Sequence, residues 1–356
     1  TKLILLAALL VAGTAAGVDT RRWDGDSGID NKWETASNWG VAAPVSGDNV
    51  NFRGKTGGAQ DATAQLSTAA TIGDLLMGGA GATSTKGTPT LTLKAGSALT
   101  ITDDTHIGWS LVGDSSAAVA NLNIESGTHT AADQFNIGNA AGTGTANANN
   151  ATGSVTISGG KLTLANVGKI ATIGSTTTAT STGTLTLNGG EFLSTKTGVA
   201  FYVGDYGNGT LTLNGGDAEF YGNVNVAQQT GSAGTISLLN GNLDCVTVTL
   251  GAGDASIKVG EGYLTMDQNK TGLVDGWVTD GDISAIGGIV DDSAFTSVYT
   301  ADFTSITNGD FVLNYGSTVG NTETAVWATA IPEPATLGLF LLSGLGLFFA
   351  RRNFSR

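Results

Sequence analysis

An eight-residue segment, Gly-Thr-Leu-Thr-Leu-Asn-Gly-Gly, spans residues 183–190 and recurs unchanged at 209–216. Residues 153–160, Gly-Ser-Val-Thr-Ile-Ser-Gly-Gly, repeat the pattern, and residues 234–241 continue it with one extra residue. Weaker copies begin at Thr90 and Asn121. Apolar and polar residues alternate within each copy. Leu185 and Leu187 share one face, and Thr184 and Thr186 share the other. A period of two belongs to a strand with one buried face. β-branched Thr suits the outer face, and the closing Asn-Gly-Gly supplies the positive φ of a sharp turn. No single copy can bury its own apolar face, so copies at 26- to 30-residue offsets must stack.

A second apolar-Gly anchor follows each copy: Ile107-Gly108, Ile137-Gly138, Ile173-Gly174 and Val203-Gly204. The distance from Gly160 to Gly174 equals that from Gly190 to Gly204, whereas the segment after the anchor varies in length. The spacing predicts a strand, a tight turn, a second strand and one variable corner per repeat. The predicted fold class is all-β, a single-stranded parallel β-solenoid (β-helix) of seven coils over residues 62–260. At about 4.8 Å per coil the rod would be about 30–35 Å long. A hairpin sandwich shares the alternation, but an identical octapeptide favours in-register stacking. The pattern resembles the β-helical passenger regions of autotransporters and surface proteins with autotransporter-associated β-strand repeats, which implies a β-helical surface rod.

Both ends differ from the rod. Residues 1–17 place Lys2 before an apolar run and the small residues Ala15-Ala16-Gly17, the pattern of a secretory signal peptide. Residues 331–356 hold Pro332-Glu333-Pro334, an apolar segment, and a basic terminus. The apolar segment contains Leu337, Leu339, Phe340, Leu341, Leu342, Leu345, Leu347, Phe348 and Phe349. It predicts a short C-terminal membrane helix, and Arg351 and Arg352 would hold its end in the cytoplasm. The three parts together resemble the PEP-CTERM sorting signal. The resemblance implies export, transient anchoring in the inner membrane, and cleavage at Pro-Glu-Pro by an exosortase. It also implies association with exopolysaccharide at the cell surface or in a biofilm matrix.

Residues 18–61 carry Trp23, Trp33 and Trp39. They are expected to cap the open end of the rod, with a sugar-binding aromatic platform as the alternative. Residues 261–330 lack the repeat and are expected to form a C-terminal β cap. Asp24, Asp26 and Asp30 have calcium-like spacing without the Gly and Glu of an EF-hand loop. Calcium is therefore a weak candidate, and no other cofactor is expected. Asp103, Asp104 and His106 read as a solvated turn, and Cys245 as a small buried apolar residue.

Composition narrows the function. Residues 18–331 hold three Arg and nine Lys against 29 Asp and Glu, a net charge of −17. Such a surface does not bind nucleic acid, because phosphate contacts need cations. One Cys excludes a disulfide framework, and two His leave little for acid–base or metal chemistry. No catalytic residue is assigned, and the expectation is a non-enzymatic, exported surface protein. The expected partners are an exosortase-type enzyme, extracellular polysaccharide, and the membrane through the C-terminal helix. The alternatives are an adhesin or carbohydrate-binding module acting through variable loops, and a β-helix polysaccharide lyase or hydrolase.

Overall fold

The structure, a computed structural model, describes residues 19–23, 30–39, 42–52, 63–78, 88–111, 118–141, 150–173 and 181–331. The octapeptide copies lie in the strands Ala151–Ile157, Ser181–Leu187, Asn208–Leu213 and Ala233–Leu238. These pair parallel and in register, with Thr184 against Thr210 and Leu185 against Leu211. The chain is thus a parallel β-solenoid. Among the described residues, nine such strands from Thr63–Leu66 to Ile283–Ala285 build its first face. Seven steps separate Thr63–Leu66 from Asp254–Val259, which gives the expected length of about 34 Å.

The five coils that begin at Thr63, Thr90, Ala118, Ala151 and Ser181 have three strands where the spacing predicted two. After Ala151–Ile157 come Lys161–Leu164 and Gly168–Ile173, split by a corner at residues 165–167. In the coils of Asp217–Val226 and Asn242–Leu250 the chain runs through this corner as one long strand. The register also corrects the anchor. Ile107, Ile137, Ile170 and Val203 are successive partners, so Ile170 and not Ile173 occupies the anchor position. The corner at residues 195–200 is three residues longer than its counterpart at 165–167. That insertion offsets the misplaced anchor and produces the equal Gly–Gly spacing. Length therefore varies at two corners, not one.

The interior is a set of stacked columns. Leu122, Val155, Leu185, Leu211, Ile236 and Ile257 are successive register partners and are completely buried. Burying each such side chain contributes about 1.5–3 kcal/mol. Phe192, Phe201 and Phe220 fill a wider part, with ring centroids 4.9–5.3 Å apart. The opening glycine of the repeat has a packing role. A Cβ on Gly209 would lie 2.1 Å from the Gly204 amide nitrogen, and one on Gly153 would lie 2.2 Å from the Ile107 carbonyl oxygen. Here two faces meet backbone to backbone, too close for any side chain.

Both described ends are covered. Strand Thr20–Arg22 pairs parallel with Asn49–Phe52, which pairs with Leu75–Gly78 of the first coil. Glu34 Oε1 accepts hydrogen bonds from the Ser67 amide and from the Ser67 and Thr68 hydroxyls. At the other end the direction of pairing reverses. Tyr263–Asp267 pairs antiparallel with Glu323–Ala330, and Phe311–Ser317 and Ala301–Asn308 follow. This end also contains the helix Thr271–Asp280, where only strands were expected. Its Val274 and Trp277 are buried, and Gly281 at φ 81° ends it in a left-handed cap.

Candidate functional site

The three indoles near the N-terminus are 1–2% exposed. They pack on one another and on Phe52 with centroids 4.7–5.8 Å apart, and Trp39 Nε1 donates to the Trp33 carbonyl. A sugar platform needs an open ring face, and none of the three has one. Trp23, Trp33 and Trp39 are cap, not platform. Of the calcium candidates, Asp24 and Asp26 lie outside the described residues. Asp30 instead organises its loop, accepting from the Lys32 amide, the Thr35 hydroxyl and the Asn38 side-chain amide. The Lys32 amide first, and then the Thr35 hydroxyl, hold its carboxyl below the usual carboxylate value.

A second acidic group lies at a corner of the rod. Asp103, Asp104 and Asp133 bring carboxylate oxygens within 4.8 Å of one another. The nearby Asp74 charge, then burial, then Asp104 and Asp133 push the Asp103 carboxyl upward. The corner uses several of these groups as struts. Asp104 N–H donates to Asp74 Oδ1, Gln134 N–H to Asp104 Oδ1, and Asn166 Nδ2 to Asp133 Oδ1. His106 stacks on Trp109, and burial lowers its pKa against the pull of Asp104 and Asp74. Cys245 is buried, and burial pushes its thiol upward, so it is no nucleophile.

A concave surface runs along the second face. In-register stacking places Thr128, Lys161, Glu191, Asp217, Asn242 and Tyr263 in one outward column. Leu193, Glu219, Asp244 and Thr265 form a parallel column two residues on. Two clefts, of about 690 and 640 Å³, adjoin at Asp217 and Glu219 and are together termed one groove along the second face. The C-terminal cap closes one end with Phe295, Val298, Tyr299 and Glu323. Lys161 is ion-paired to Glu191 at 2.7 Å. Among the described residues, Asp217, Glu219, Asp244 and Glu323 have no ion-pair partner. Burial, then the charges of Asp217, Asp244 and Glu323, push the Tyr263 phenol upward. Sequence reasoning missed these residues because they lie 20–30 positions apart. Aligning the residue after each Gly-Gly pair would have brought Lys161, Glu191 and Asp217 together.

The last strand of the C-terminal cap, Glu323–Ala330, leads directly into the tail. Residues 330–353 match the PEP-CTERM protein-sorting motif. The chain is therefore an exported β-solenoid protein carrying a substrate signal for exosortase-type processing. Pro332, Glu333, Pro334, the apolar segment and Arg351 and Arg352 lie outside the described residues, as does segment 1–17, where a signal peptide was expected. Among the described residues no helix is long and apolar enough to cross a membrane. No curated protein and no solved structure matches the chain.

Proposed function

We propose that this chain is a non-enzymatic structural protein of the bacterial surface, held by its tail in the membrane and then released by cleavage at Pro332-Glu333-Pro334. Its destination is the cell surface or the extracellular matrix, where the rod associates with exopolysaccharide. The observation that carries this reading is the conjunction of a sorting motif at 330–353 with a stacked rod whose C-terminal cap ends at Ala330. A solenoid fixes outward columns at constant spacing, which suits display along a polymer more than turnover of a small substrate.

Deleting residues 331–356 should move the protein from the surface fraction to the medium or periplasm, and unchanged fractionation would sink the sorting step. Turnover assays on acidic and neutral polysaccharides, with and without calcium, test the enzymatic alternative, and release of any product would replace the structural reading. The groove favours a carbohydrate-binding role over adhesion through the variable corner, because it is built from several coils at once.

A further inference from the structure

The groove has three properties that together select a ligand. It is long, open and parallel to the stacking direction, so it suits an extended polymer; a small molecule would need a site enclosing most of its surface. Its floor repeats at about 4.8 Å, one outward pair per coil, which offers similar contacts to successive units of a chain. Its charge is one-sided. Asp217, Glu219 and Asp244 come from two neighbouring coils and Glu323 from the cap, none of them in an ion pair among the described residues, while the single lining cation, Lys161, is bound to Glu191. An anionic chain of uronates or sulfated sugars would meet like charge along the floor.

At the capped end the chemistry changes from carboxylate to aromatic. Tyr263 and Phe295 meet edge to face with centroids 5.1 Å apart, and Tyr299 lies beside them with its hydroxyl donating to Glu323. These rings are half-buried, and Phe295 and Tyr299 also pack on Trp327, with the Phe295 and Trp327 centroids 5.0 Å apart. The surface the rings leave open is apolar, with π-systems that attract cations. Asn242 and Thr265 keep polar side chains at the same wall, donating to Asp217 and Asp244 at 2.8 and 2.9 Å. Carboxylates, aromatic faces and amide or hydroxyl groups in one trough complement a sugar polymer with ammonium groups.

We propose that the groove binds a linear amine-bearing polysaccharide, of the partly de-acetylated glucosamine type, laid along the rod with one end against Tyr263 and Tyr299. This rests on the exopolysaccharide-associated role proposed above and assigns it a site and a sign of charge.

The test is calorimetric titration of the full-length chain in mild detergent with a β-linked glucosamine hexamer. Parallel titrations use the N-acetylated hexamer, a galacturonate hexamer with and without calcium, and spermine. The glucosamine hexamer is expected to bind at least tenfold more tightly than its acetylated form. Galacturonate should not bind, and added salt should weaken the glucosamine complex. Asp217→Asn with Glu219→Gln should weaken it about tenfold, and Tyr263→Ala should weaken it too, with an unchanged melting temperature for the carboxamide pair.

Spermine binding as tightly as the hexamer would reduce the groove to a cation trap and overturn the saccharide assignment. Galacturonate binding with calcium, or unaltered affinity in the carboxamide pair, would overturn the site. If the hexamer fails to bind while deletion of 331–356 still releases the protein, only the groove assignment falls. If that deletion changes nothing, the surface role falls whatever the hexamer does.

Discussion

Gly209 and Gly204 touch backbone to backbone, with the position of a Gly209 Cβ 2.1 Å from the Gly204 amide nitrogen and 2.8 Å from its Cα. Neither atom can swing aside as a side-chain tip could. Gly209→Ala is expected to destabilise the rod by about 2–3 kcal/mol. Gly272 is an exposed position of the helix Thr271–Asp280 with nothing near its Cβ, and Gly272→Ala should stabilise by about 0.5–1 kcal/mol. Denaturant midpoints of the two variants should move in opposite directions, and equal shifts would refute the packing argument.

His129 lies inside the rod, fully buried, beside Phe135, with neither ring nitrogen hydrogen-bonded. Burial lowers its pKa from 6.5 to about 3. The folded protein keeps it neutral while the unfolded chain protonates it below 6.5. Its contribution is therefore intact above that pH and is lost as pH falls, by about 1.4 kcal/mol for each unit between about 6 and 3. Leu99 and Leu162 are its register partners, so leucine fits the column. His129→Leu should stabilise by about 1–3 kcal/mol at pH 7 by removing unsatisfied polar atoms, and by more at pH 4. A gain that does not grow between those two pH values would contradict this.

Lys169 Nζ lies 2.8 Å from Asp205 Oδ2 and 5.1 Å from the centroid of Tyr202. The Asp205 side chain is only 4% exposed, whereas Lys169 is 29% exposed. Removing the cation takes this ion pair from a carboxylate with little access to water. Lys169→Met is expected to cost about 2–3 kcal/mol, and adding Asp205→Asn should recover most of it. Chemical denaturation of the two singles and the double would measure the coupling, and a coupling near zero would count against the pair.

The sorting motif predicts a processing defect. Glu333→Ala should leave a larger, membrane-associated species on an immunoblot, while the rod remains folded because its C-terminal cap ends at Ala330. Normal processing of that variant would remove Glu333 from the cleavage signal.

The first face of the rod was legible because its constraint is local. Leu185 and Thr186 announce inside and outside within one strand, and identical copies fix the register. The third strand of the earlier coils was not legible, since a corner as short as residues 165–167 carries no Gly or Pro to mark it. Ile173-Gly174 mimicked the anchor in sequence, but only pairing with Ile137 and Val203 identifies Ile170. The helix Thr271–Asp280 hides behind Gly272, Gly276 and four β-branched residues, and Lys270 gives it no side-chain cap. Burial of Val274 and Trp277 against the cap supplies the stability its sequence lacks. The groove was illegible for a different reason: its floor is assembled across coils, and no one segment contains it.

The identical octapeptides have a consequence for inheritance. Residues 183–190 and 209–216 occupy equivalent positions one step apart, and their neighbours on each side meet them through the same backbone contacts. Excising residues 183–208 from the gene would join Thr182 to Gly209 and return the same octapeptide to the same register. Rod length in such a chain is thus a heritable quantity that changes in whole steps of about 4.8 Å, with both caps and the sorting tail unaltered. The repeat makes the molecule a ruler whose divisions can be added or deleted by recombination.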